Sequence, residues 1–153
     1  HVQQFVEEGH LRWDSLGEFL AIAVSLEFLG EKFDNPNALL LSEALDNATE
    51  KLLENNQGPS RKVNELDNRG SHFYLALYWA EALKNQNKDT SLKTLFSTVH
   101  QALEKNTEII LNELLAAQGH KIEIGGYYMP AEHLVVEQMR PSKTFNDILK
   151  RIN

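Results

Sequence analysis

Apolar residues return every three or four positions along almost the whole of this sequence, a pattern that only helices packed on helices can bury. Val2, Phe5 and Val6 share a face, with Gly9 as the stop. Ser15 and Glu18 read as a capping box opening a helix to about Leu29, ended by Gly30. Its apolar residues, among them Phe19, Leu20, Ile22, Val24 and Leu29, cover more than one stripe, so this helix is expected to be buried and central. Asn35 and Pro36 form a cap and first-turn pair for a helix to about Glu54, with Leu41, Leu45, Ala48 and Leu52 inward. A polar turn follows over 55–60, then an ordered, charged loop with some helical turn over 61–68. Further helices are expected over 71–84 and, as one long element, over 91–117, with Gly119 as its stop. Only 121–128, KIEIGGYY, reads as a strand or extended loop. Pro130 can open a short helix to Met139, and Thr144 with Asp147 can cap the last one. The expected fold class is therefore all-α: a single helical lobe over 1–153 with six or seven helices.

A chain of 153 residues fits one domain or lobe and can bury about 70% of its unfolded surface. Its net charge of −7 argues against a nucleic-acid partner, which needs a basic footprint, but leaves room for a local basic pocket. With no cysteine, disulfides and thiolate metal sites are excluded. The longest apolar stretch, 19–29, is interrupted by Ser25 and Glu27 and falls short of the ~20 residues that cross a bilayer, so no membrane partner is expected. No signal peptide is visible. His1, not Met, opens the sequence, and Val2, Phe5 and Val6 are already helical in pattern, so we expect residue 1 to be an internal position of a longer protein.

Few residues carry legible chemistry. Glu7 and His10 stand at the E-x-x-H spacing of di-iron bundles, but such bundles need two such motifs, and Gly9 interrupts this one, so no metal ligand is assigned. There is no nucleophile elbow, Walker A sequence or G-x-G-x-x-G, and no catalytic residue is assigned. His72 and His100 fall within helices, where a histidine is more often packed or surface-bonded than catalytic. The informative cluster is basic and aromatic: His1, His10, Arg12, Trp13 and Asp14, then Arg61 and Lys62. Arginine forks suit phosphate oxygens, and tryptophan offers a flat face to a base or sugar. Surface pairing of Arg12 and Arg61 with nearby carboxylates explains the same residues, and composition alone leaves both readings open.

Four segments carry a resemblance that covers essentially the whole chain: HVQQFVEEGHLRWDSLGEFLA at the start, LDNRGSHFYLALYWAEAL in the middle, then IGGYYMP and MRPSKTFNDIL near the end. In order and spacing they are similar to the carboxyl-terminal part of monomeric NADP-dependent isocitrate dehydrogenases. The resemblance implies a cytoplasmic parent enzyme that oxidises and decarboxylates isocitrate to 2-oxoglutarate with NADP and Mg or Mn. It implies two α/β domains with a cleft between them, this segment belonging to the domain built from both chain ends. It implies that His1, Arg12 and Arg61 gather round the 2′-phosphate of NADP, with Trp13 and Asp14 among the cofactor contacts. The metal ligands and the residues that hold and deprotonate isocitrate are implied to lie upstream, so this segment alone is expected to be inactive. A reading from another class is an autonomous helical interaction module whose basic residues form surface ion pairs. A closed apolar surface would favour the module. A severed lobe should instead expose an apolar patch, expected near Val2–Val6 and Ile122–Tyr128, through which it could self-associate.

Overall fold

Polar side-chain caps start half of the helices where apolar periodicity begins. The computed structural model describes residues 1–153 and contains α1 (Val2–Glu8), α2 (Leu16–Lys32), α3 (Pro36–Glu54), α4 (Asn68–Asn85), α5 (Thr90–Lys105), α6 (Thr107–Ala116), α7 (Glu132–Met139) and α8 (Lys143–Leu149), the last running into a 3-10 turn over Lys150–Ile152. It has no strand, and the all-α class holds. Asn35 caps α3 through its side-chain oxygen, which accepts from the N–H groups of Asn37 and Ala38. Asp67 caps α4 and Asp89 caps α5 in the same way.

Helices α2 to α5 pack side by side in chain order, with α6 and α8 closing over α4 and α5. The centre is therefore α4. Its Phe73 is fully buried with Leu103 of α5 and Ile110 of α6, while Leu75 joins Phe19, Leu45 and Leu52 from α2 and α3. Each such side chain contributes about 1.5–3 kcal/mol by leaving water. A separate small cluster of Phe5, Ile122 and Ile124 joins α1 to the extended segment after α6. That segment is held by hydrogen bonds rather than sheet pairing: Ile122 N–H donates to Val6 O at 2.8 Å and Ala131 N–H to Ile124 O at 2.7 Å.

Several expectations need correction. Helix α2 is not the buried centre: only Phe19, Ala23 and Gly30 are buried, and Leu20, Ile22, Val24, Phe28 and Leu29 lie exposed. An all-round apolar helix needs a partner on each face, and α3 covers only one. Gly30 does not end α2 but admits α3, because a Cβ there would lie 2.6 Å from the Leu39 side chain. Ser15 makes no capping bond to α2; its hydroxyl instead accepts from Asn68 Nδ2 at 2.8 Å. Helix α4 begins three residues before the expected 71, at the Asp67 cap. The expected long helix over 91–117 divides at Asn106, where Asn106 Nδ2 and Thr107 Oγ1 donate back to the carbonyls of Ala102 and Leu103. Ser142, not Thr144, caps α8, its hydroxyl accepting from Phe145 N–H at 3.0 Å. The apolar surface also differs: Phe5, Ile122 and Ile124 are closed off, while Val2, Tyr127, Tyr128 and Met129 join the α2 face and Phe33 in being exposed.

Candidate functional site

Near the start of the chain, His1, Gln4, Arg12, Trp13, Asp14, Pro59 and Arg61 line one open hollow of about 820 Å³. The five residues singled out from the sequence, His1, Arg12, Trp13, Asp14 and Arg61, thus share a single wall although 48 positions separate Arg61 from Trp13. The His1 ring meets Trp13 edge-on, at 5.4 Å between centroids and 87° between planes. Trp13 Nε1 donates to Glu18 Oε1 at 3.0 Å, which leaves the indole 45% exposed as a flat wall. Asp14 is tied locally, accepting from Leu16 N–H at 3.0 Å.

The two arginines differ in state. Arg12 Nη2 lies 3.0 Å from Glu8 Oε2, and Arg12 Nε donates to the carbonyl oxygen of Arg61. Its Nη1 is buried with no hydrogen-bond partner. Arg61 is exposed, and no ion pair or hydrogen bond within the chain engages its guanidinium. Carboxylate pairing, the alternative weighed above, therefore accounts for Arg12 but not for Arg61. Two guanidinium groups lining one hollow, one of them free, suit an anion chemically, since arginine presents parallel N–H donors to paired oxygens.

What brings these residues together lies beneath them. The 9–13 segment belongs to no helix, and the start of α4 pins it. Arg69 and Asp67 form a buried ion pair at 2.6 Å. Arg69 also donates from Nη2 to Gly9 O at 2.6 Å and from Nη1 to Gln138 O at 2.7 Å, and its guanidinium lies over the Phe5 ring. Asp67 Oδ2 accepts from Leu11 N–H at 3.3 Å, Asn68 N–H donates to Leu11 O at 2.9 Å, and Asn68 Nδ2 donates to Trp13 O at 2.8 Å. Both neighbours of Arg12 are thus fixed by α4.

Gly9 turns the chain out of α1 with φ of +61°, and a Cβ there would lie 2.6 Å from Ala117 O, so the turn admits no side chain. The loop that carries Arg61 is held from the other side by His10 and Gln118, both buried. Both His10 ring nitrogens are engaged with oxygens, which removes it as a metal ligand.

Sequence reading missed Gln4, Glu8, Pro59, Asp67, Arg69 and Gln118. The one local signal among them is the polar, glycine-containing entry LDNRG to an otherwise aromatic helix, which holds Asp67 and Arg69. The sequence does not say which backbone groups such residues reach. The role of the turn 67–71, which the sequence leaves open, is this pinning of 9–13.

Ionisable groups shifted from their ordinary values lie elsewhere. Burial, with the positive charge of Lys84, lowers His100. Burial raises Tyr74, and Tyr78 adds to it. Glu113 is held below the usual carboxylate value: burial opposes this, but the hydroxyls of Ser142 and Thr144 and the N–H of Thr144 together outweigh it. None of these groups lines the hollow.

Known proteins resemble this chain along nearly its whole length. A family model described as monomeric isocitrate dehydrogenase matches residues 1–150. Isocitrate dehydrogenase [NADP] of Azotobacter vinelandii is 58% identical over 149 residues, 97% of this chain and 20% of that protein. Isocitrate dehydrogenase [NADP] 2 of Colwellia maris is 57% identical over 152 residues, and that of Mycobacterium tuberculosis 51% over 152 residues, each covering 99% of this chain and 20% of the relative. The chain thus spans 20% of the length of these relatives. With the match running through both arms of the hollow and through the α4 turn beneath it, the chain belongs to the monomeric isocitrate dehydrogenase family.

Proposed function

We propose that this chain is the carboxyl-terminal lobe of a cytoplasmic NADP-dependent isocitrate dehydrogenase, and that its hollow receives the 2′-phosphate of NADP. The observation that carries the reading is the free Arg61 guanidinium set beside Arg12, His1 and the Trp13 face in one pocket of an otherwise acidic chain. A 2′-phosphate bears up to two negative charges where NAD has a hydroxyl. Each charge-assisted bond to it contributes about 1.5–3 kcal/mol, enough for tenfold discrimination or more. Trp13 then lies beside the adenosine part, and Asp14 shapes the rim.

NADP, when bound, supplies the hydride acceptor of the oxidation. The residues of this chain bind and orient it, and the groups that handle isocitrate belong to the rest of the parent enzyme. No three or more His, Asp or Glu side chains gather here where an ion could be held, so the chain does not fit a Mg or Mn site of its own. The exposed apolar face of α2 supports the lobe reading over the autonomous module, whose apolar faces would be closed. We propose that the remainder of the parent chain, in an α/β enzyme of two domains, covers that face, and that the lobe self-associates when the remainder is missing.

Arg12→Ala and Arg61→Ala in the full-length enzyme test the cofactor reading. Each is expected to raise KM for NADP about tenfold or more, with KM for NAD and for isocitrate nearly unchanged. Equal losses with both cofactors would refute phosphate recognition.

A further inference from the structure

His10 lies between the two arms of the hollow and is fully buried. Its Nδ1 is 2.6 Å from Gln118 Oε1 and its Nε2 is 2.8 Å from Ser60 O. Both partners are oxygens that can only accept. The Gln118 amide cannot be reversed to relieve this. Its Oε1 also accepts from Asn64 N–H at 2.9 Å, and its Nε2 donates to Glu65 O at 2.9 Å, so a flip would set donor against donor and acceptor against acceptor. Ser60 O is a carbonyl, so the bond at Nε2 is an N–H donated by the ring.

The bond to Ser60 has a consequence for its neighbour. Ser60 O accepts from His10, Ser60 N–H donates to Leu66 O at 2.7 Å, and Arg61 O accepts from Arg12. The backbone on both sides of Arg61 is therefore fixed while its guanidinium is free, which is how a site is organised before its ligand arrives. No carboxylate touches the His10 ring. Ionisable groups on the elements around it are Glu8 and Arg12 on its own segment, Arg61, Lys62 and Glu65 on the loop, the closed Asp67–Arg69 pair at α4, and His120 after α6. The Glu65 carboxylate is taken by the Ser60 hydroxyl.

We propose that His10 is a positioning residue for NADP selection: it holds the Ser60 carbonyl and so aims Arg61 at the 2′-phosphate. This rests on the phosphate-binding reading of Arg61 given above. It acts on cofactor binding alone and touches neither substrate nor reacting atoms.

The test compares His10→Asn and His10→Gln in the full-length enzyme. The asparagine amide nitrogen stands in for Nδ1 and keeps the bond to Gln118. The glutamine amide nitrogen reaches the Nε2 place and keeps the bond to Ser60. His10→Asn should raise KM for NADP about tenfold with kcat and the constants for NAD and isocitrate within about twofold. His10→Gln should recover most of that loss. A role in stability alone predicts no such difference between cofactors, and equal losses in the two variants, or equal losses with NADP and NAD, would overturn the proposal. Arg61→Ala in the same set separates the two claims. If it raises KM for NADP selectively and His10→Asn does not, the positioning role fails and the phosphate reading stands. If Arg61→Ala is itself unselective, the phosphate reading falls and takes the positioning role with it. Should His10→Asn fail to fold, nitrogen NMR of the histidine-labelled enzyme, its His10 ring signal assigned by loss in His10→Gln, still decides. That signal should shift when NADP is added and not when NAD is, and an equal response to both cofactors overturns the proposal.

Discussion

Arg69 and Asp67 meet at 2.6 Å with side chains 2% and 1% exposed, and together they anchor Gly9, Leu11 and Gln138. The pair lies two residues apart in sequence but ties α1, α4 and α7 to the segment that carries Arg12.

Removing one member of this pair leaves the other charged and buried. Asp67→Ala is expected to cost about 3–5 kcal/mol of stability, part of it from the lost α4 cap. Arg69→Lys should cost nearly as much, because an ammonium cannot reproduce the fork that serves Asp67, Gly9 and Gln138 at once. Urea unfolding of each variant followed by circular dichroism reads both losses. A lysine variant as stable as the native chain would show that the fork geometry does not matter.

Glu8 competes with any anion for Arg12. Glu8→Gln should strengthen NADP binding by the enthalpy and entropy of one partly exposed ion pair, about 0–1 kcal/mol, or up to about fivefold. The gain should shrink as salt is added. Titration of the full-length enzyme with NADP at two ionic strengths measures it, and weaker binding in the variant would mean that Glu8 orients Arg12 rather than competing for it.

The α2 face should make the isolated chain associate. Val24, 64% exposed, and Phe28, 58% exposed, lie one turn apart on it. Sedimentation of the native chain is expected to show concentration-dependent dimers or larger species, and Val24→Glu with Phe28→Glu should return it to monomer. A native chain that stays monomeric at high concentration would count against the face as an interface.

Stability should depend on pH through Glu113. Its carboxyl is lowered in the folded chain, so the charged form is the one that folding favours. Its contribution is fully present above the ordinary value of 4.5 and is lost as pH falls through the lowered one. The stability gap between native chain and Glu113→Gln should therefore narrow as pH falls below the ordinary value of 4.5, as read by thermal unfolding. A gap that does not change with pH would mean that the bonds from Ser142 and Thr144 do not distinguish the charged form.

Much of the fold was legible because its signals are local. Asn35 with Pro36 opens α3 as expected, and Gly9 ends α1, since a cap needs only its own few neighbours. Legibility failed where a polar side chain had a distant alternative. Ser15 looks like a cap but bonds Asn68, and Thr144 looks like a cap but serves Glu113. The division between α5 and α6 was hidden because Asn106 and Thr107 return bonds within the helix, and their apolar neighbours keep the helical period through the break.

At the site, the residue types left an anion pocket and surface ion pairing both open, and resemblance to a family assigned His1, Arg12 and Arg61 to a cofactor phosphate, with Trp13 and Asp14 among the cofactor contacts. Their meeting in one hollow is a tertiary fact. So is the difference between a paired Arg12 and a free Arg61, which no local pattern distinguishes. By itself the sequence determined the helical class, most helix ends and the family, because periodicity, caps and long matching segments are properties of neighbours in the chain. Tertiary structure alone decided which faces are covered, that α4 rather than α2 is central, and that Asp67, Arg69, His10 and Gln118 are buried scaffolding for the hollow. Burial and hydrogen-bond partners depend on what lies across space, and those contacts arise only when distant segments are brought together.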